Sequence, residues 1–98
     1  MQVNQTIDRT PFEYEKLTIT SGAVVRLTEA NRILYKAAYI TVEDNTIRYR
    51  IEGGDPDAND GHLVYATQSI YFVDPKSLRE LRMIATGNDA IIIVTYYK

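Results

Sequence analysis

Between residues 38 and 51 the side chains alternate with a period of two. Ala38, Ile40 and Val42 share one face against Tyr39, Thr41 and Glu43; after Asp44-Asn45, Ile47, Tyr49 and Ile51 alternate against Thr46, Arg48 and Arg50. Only a β-strand places every second residue on one side, so both arms are strands with one face to a core and one to water. The short break between them predicts a hairpin over residues 39–51. The rest of the chain agrees, with eleven Ile, ten Thr, eight Tyr, seven Val and two Phe among 98 residues, all strand formers. Turn signals recur at Ser21-Gly22, Glu29-Ala30-Asn31, Asp44-Asn45, the Gly53 to Gly61 stretch, Asp74-Pro75 and Gly87-Asn88-Asp89. Short strands at that spacing indicate a sandwich or barrel.

Further strands are expected at residues 14–20, 23–27, 62–65, 69–73, 81–85 and 90–97. Asp74 can cap a short helix with Pro75 at its first position, where the missing N–H costs nothing, and residues 74–80 read as a plug or connector. Residues 29–36 admit a two-turn helix capped by Thr28, or a turn at Ala30-Asn31 followed by a strand from Ile33. So short a helix is marginal without packing, and the turn and strand are preferred. The expected fold is therefore all-β: a small antiparallel β-sandwich, jelly-roll-like, of about seven to eight short strands with one short helix. Residues 1–20 are read as an N-terminal arm and first strand, and residues 21–98 as a single sandwich domain, in keeping with a length that allows one domain only.

Composition narrows function mostly by exclusion. A net charge of −2 lacks the basic surplus of a nucleic-acid binder. Without cysteine there is no disulfide framework, thiolate metal site or thiol nucleophile, and His62 is the sole histidine. The longest apolar run, Ala90-Ile91-Ile92-Ile93-Val94, is far short of a membrane span. Residues 1–8 have neither the basic nor the apolar region of a secretory leader, so synthesis and folding in a cytoplasm are expected.

Candidate chemistry is sparse. Asp55, Asp57 and Asn59 match the first three ligand positions of an EF-hand loop, but Asp60 stands where that loop needs Gly and Ala66 where it needs a bidentate Glu. The segment reads as an acidic connection whose glycines and Pro56 serve the turn, with His62 a structural residue beside it. Ser21, Ser69 and Ser77 have no base at an informative spacing. Glu13 and Glu15 share a strand face, the minimum for paired-carboxylate catalysis, but at an edge they read as solvated. Arg48 and Arg50 form a basic stripe that Glu43 and Glu52 are placed to neutralise. No catalytic, cofactor-binding or metal-binding residue is assigned, and the chain reads as a non-enzyme.

Two features point to a partner. The terminal strand is apolar on both sides, with Ile91, Ile93 and Tyr97 on one and Ile92, Val94 and Tyr96 on the other. A sheet in a small sandwich has one core face only. Ile92, Val94 and Tyr96 are therefore expected to form an outer face buried against a neighbouring subunit, the competing cover being the chain's own helix or arm. The tyrosines lean the same way, because a phenol ring buries area while its hydroxyl finds a polar partner. Tyr39, Tyr49, Tyr65 and Tyr71 would serve equally as stacking platforms for sugar rings.

Ile47-Arg48-Tyr49-Arg50-Ile51, Gly54-Asp55-Pro56-Asp57-Ala58 and Gly61-His62-Leu63 resemble segments of small phage-encoded structural proteins found among head and tail genes. Leu81-Arg82-Met83-Ile84-Ala85, the Gly87-Asn88-Asp89 turn and the closing Val94-Thr95-Tyr96-Tyr97-Lys98 extend the likeness over residues 22–98. The family's Asp-Gly before the turn and Thr after the Pro are replaced here by Gly53-Gly54 and Asp57. The resemblance implies a virion component, in head or tail, that assembles by symmetric self-association, a trimer being one form. It would contact other virion proteins, pass through the host cytoplasm during assembly, and need no cofactor, nucleic acid or membrane. The central segment is also similar to the turn of chitobiase-type C-terminal β-sandwich modules, which implies the alternative of a carbohydrate-binding or adhesion module using the exposed tyrosines.

Overall fold

The structure, a computed structural model, describes residues 9–98; the expected arm lies largely outside the described residues. Seven strands and two short helices follow in the order β1 (Pro11–Ile19), α1 (Glu29–Leu34), β2 (Ala37–Asp44), β3 (Ile47–Arg50), β4 (His62–Val64), β5 (Ser69–Phe72), α2 (Pro75–Glu80), β6 (Arg82–Ala85) and β7 (Ala90–Tyr97). They build two antiparallel sheets, one ordered β1-β7-β2-β5 and the other β4-β3-β6. Val25 extends the second sheet beyond β6 by an isolated bridge to Met83, with N–H···O bonds of 2.8 and 2.9 Å in the two directions. Counting that bridge as a vestigial strand gives the pairing order of a jelly roll, two interlocked Greek keys. The all-β sandwich expected from the alternation is what forms.

Every connection except β3–β4 carries the chain from one sheet to the other. This corrects the expected hairpin: β2 and β3 do not pair. Ala38, Ile40 and Val42 on β2 and Ile47 on β3 are all buried, but they enter one core from opposite layers. Alternation reports which side of a strand is buried, not which strand lies beside it. The corner turns at Asn45, in the left-handed region at φ 63°, where Asn is tolerated. It is tied to the β6–β7 link, with the Asn45 Nδ2 donating to the Asp89 carbonyl at 2.8 Å and the Thr86 N–H to the Thr46 carbonyl at 3.0 Å.

β1 is a full member of the first sheet, in register with β7 from Ile19↔Ala90 to Pro11↔Tyr97 apart from an irregularity between Pro11 and Glu13. Ile19 is fully buried. The first strand expected within residues 1–20 is thus β1, packed into the same core as the strands that follow.

The helices differ in how far local signals specify them. α2 has its expected start, with Asp74 Oδ2 accepting from the Ser77 N–H at 3.0 Å and Pro75 in the first turn. Leu78 and Leu81 are fully buried as a plug. α1 replaces the preferred strand from Ile33. None of its residues is buried, and Ile33 and Leu34 are 62% and 59% exposed. It is held instead by its flanks, Leu27 and Tyr35, both buried, so the tertiary anchors override a weak intrinsic propensity. Residues 23–27, expected as a strand, contribute only the Val25 bridge.

Gly61 closes the β3–β4 connection at φ 127°, where a Cβ would lie 3.1 Å from Pro56 Cβ and from the Tyr49 carbonyl oxygen. Both the backbone region and the space require glycine. Gly61→Ala is expected to lower stability by about 2 kcal/mol, read as a reduced midpoint in urea denaturation.

Candidate functional site

Register decides which side of β7 is free. Leu17 and Val42 lie opposite Ile92, and Glu15 and Ile40 opposite Val94, which turns Ala90, Ile92, Val94 and Tyr96 inward. All four are fully buried within this chain. The expected interface of Ile92, Val94 and Tyr96 is thus the core face, already covered by the protein's own second layer. The outward residues are Ile91, Ile93, Thr95 and Tyr97, each half-buried. The strand is apolar on both sides as expected, but the open side is the other one.

Tyr96 sits at the centre of a polar knot inside the sandwich. Its ring stacks on Tyr35 with centroids 5.4 Å apart, and Phe12 lies 5.9 Å from Tyr35. The Tyr96 hydroxyl donates to Glu15 Oε2 at 2.6 Å. The same carboxylate accepts from Asn31 Nδ2 at 2.6 Å and from the Thr28 hydroxyl. Burial, then the hydrogen bond and charge of Glu15, push the Tyr96 phenol well above its ordinary value. Glu15 therefore joins β1, β7 and the start of α1. Its apparent pairing with Glu13 along the strand has no catalytic arrangement: three donors occupy it. This network was missed in the sequence because its members are spread over residues 15–96.

On the outer face of the first sheet, adjacent registers align Tyr14, Thr95, Tyr39 and Tyr71 in one row across β1, β7, β2 and β5. The next row is Lys16, Ile93, Thr41 and Ser69, and Thr18 with Ile91 begins a third. The Tyr39 and Tyr71 rings pack at 4.6 Å with a 33° tilt. Burial, with smaller contributions from the Tyr39 and Tyr97 phenols, raises the Tyr71 pKa. Tyr14 is 59% exposed. Lys16 is the one formal charge in the first two rows.

The four tyrosines singled out as stacking platforms do not form one platform. Tyr39 and Tyr71 share the face just described. Tyr49 belongs to the second sheet, half-buried, with its ring 5.1 Å from His62 and edge-on to Phe72 at 5.6 Å. Tyr65 is exposed in the loop after β4.

The acidic connection resembling a calcium loop is neutralised internally. Arg50 pairs with Glu52 at 2.6 Å and with Asp60 at 3.7 Å, and Arg82 with Asp55 at 3.5 Å. Arg48 donates to the carbonyls of Ala58 and Gly61 at 3.1 and 2.8 Å, and Asp57 accepts from the Asn59 N–H at 2.8 Å. The hydrogen bond from Arg50 holds the Glu52 carboxyl below its ordinary pKa. Glu43, expected with Glu52 to neutralise the stripe, lies on β2 in the other sheet; Glu52, as expected, and Asp60 pair with Arg50. Among the described residues no group of three or more His, Asp or Glu is placed to hold a metal ion, and no helix is long and apolar enough to cross a membrane.

Comparison with known protein families and with curated proteins matches none of them to this chain.

Proposed function

We propose that this chain is a non-enzymatic structural protein that self-associates through the outer face of its four-stranded sheet, as a virion structural or accessory component in head or tail assembly. The observation that carries the proposal is the outer row of β7. Ile91, Ile93 and Tyr97 are kept out of the core on a central strand, flanked by Tyr14 and Tyr39 on its neighbours, with Tyr71 one strand further out. A partly exposed apolar row on a central strand, with the exposed Tyr14 beside it, supports an interaction site.

A second copy is the occupant the face suits best. With one lysine in its two central rows, it presents no block of like charge to its own image across a symmetry axis. Strands of nine, eight, eight and four residues at about 4.8 Å spacing and about 3.3 Å rise give roughly 450 Å² per copy, or roughly 900 Å² for a pair, the size of a weak interface. The likeness of the Ile47–Ile51, Gly54–Ala58 and Gly61–Leu63 segments to phage structural proteins favours a virion location, host-cytoplasmic assembly and contact with other virion proteins. Sedimentation equilibrium at micromolar concentration tests the core of this. A mass that is a multiple of 11.2 kDa is expected, its multiple giving the copy number, and a monomer throughout would overturn the proposal.

A further inference from the structure

We infer that a recess between the free edges of β4 and β5 is a binding site for a single neutral sugar residue, separate from the self-association face. The two sheets part here: β4 pairs only with β3 and β5 only with β2. The gap holds a volume of ≈ 480 Å³, within the size range of small-ligand sites. Its lining is mainly polar, combining the exposed His62, Leu63, Thr67, Gln68 and Ser69 with the half-buried Tyr49 and Ile70. Neutral donors and acceptors beside one aromatic ring suit a pyranose, whose hydroxyls take the former while its C–H face packs on the latter.

The lining is built, not merely exposed. Thr67 is held at φ 74°, a conformation that β-branched residues avoid and that persists only when the surroundings enforce it. Here the enforcement comes from β2: the Thr67 N–H donates to the Val42 carbonyl at 2.7 Å, and the Val42 N–H to the Gln68 carbonyl at 2.9 Å. Gln68 Oε1 accepts from the Tyr65 N–H at 2.8 Å, which fixes the carboxamide and keeps its Nε2 donors for a ligand. His62 carries the only potential charge in the lining, which favours a neutral ligand over an ionic one. The free edges are three and four residues long, short enough to discourage an added peptide strand.

The test is an amide-resolved NMR titration with glucose, galactose and N-acetylglucosamine, each alone, and with a capped Val-Thr-Val-Thr tetrapeptide as the competing class. At least one sugar is expected to give saturable shifts centred on residues 49, 62 and 67–70, with a dissociation constant on the order of 1 mM. Gln68→Glu keeps the acceptor to Tyr65 while removing the donors, and is expected to weaken binding about fivefold. Tyr39→Ala and the outer-face variant Ile93→Asp should bind as the parent does, which separates this site from self-association. Absence of a saturable shift with all three sugars, response to the tetrapeptide alone, or loss in Tyr39→Ala with retention in Gln68→Glu would each overturn the inference.

Discussion

Ile92→Asp is expected to be recovered unfolded or insoluble, whereas Ile93→Asp, one residue along the same strand, is expected to fold and to lose self-association. Ile92 is fully buried between the registers of Leu17 and Val42. Replacing it forfeits about 2 kcal/mol of apolar burial and places a carboxylate in the core without a cationic partner, at a further cost of several kcal/mol. A domain of this size is stable by roughly 5–15 kcal/mol in all, so the sum removes most or all of the margin. Ile93 is half-exposed, beside Lys16 on β1 and Thr41 on β2. An aspartate there stays hydrated and within reach of an opposite charge, so folding should change by less than about 1 kcal/mol. Its charge, however, would lie at the centre of the proposed contact. Circular dichroism and sedimentation on both variants give the answer. A folded Ile92→Asp would contradict the β7 register, and an Ile93→Asp that still associates would place the contact elsewhere.

Glu15→Ala is expected to be the most damaging single change outside the apolar core, lowering stability by about 3 kcal/mol. It removes the acceptor shared by Tyr96, Asn31 and Thr28 and strands the Tyr96 hydroxyl in the interior. Tyr96→Phe removes one donor and leaves Glu15 the other two, at a cost of about 1 kcal/mol. The two losses should fall short of additive in the double variant, because they delete a common interaction. Alkaline titration adds a signature. The folded-state pKa of Tyr96 is raised above its ordinary value of 10.0, so above that pH the unfolded chain gives up a proton that the folded one retains. The stabilisation is complete below pH 10 and is lost as pH rises from there toward the folded value, at about 1.4 kcal/mol per pH unit. Tyr96→Phe should flatten that decline in urea melts between pH 9 and 11, and an unchanged slope would remove the phenol from the knot.

What could be read from the amino acids was local in origin. The strand at 90–97, the Asp74-Pro75 helix start and the alternation through 38–51 depend on near neighbours, and each appears in the structure. The inward side of β7 depends on pairing with β1 and β2, which no short window contains. A signal was present nonetheless: Thr95 is the one polar residue of the strand and lies on the outward side, while Ala90, Ile92, Val94 and Tyr96 form an unbroken apolar set. α1 was passed over although Ala30, Ile33 and Leu34 satisfy a helical apolar spacing, because so short a helix is marginal alone and those three side chains face water, its anchors being Leu27 and Tyr35 outside it. The partners of Arg50 and Arg82 were obscure for a similar reason, since the connection folds back over the second sheet to bring Asp55 and Asp60 to them.

The place of β7 between β1 and β2 has a consequence for biogenesis. Synthesis delivers β1 first and β7 last, and the earlier strands of the first sheet have no ladder with β1 until β7 enters between them. A nascent chain on the ribosome must therefore hold its first strand in waiting, with apolar side chains uncommitted, until residues 90–97 clear the exit tunnel. Closure of the first sheet is set by the arrival of β7, and chaperone contact with β1 should cluster in the interval before it.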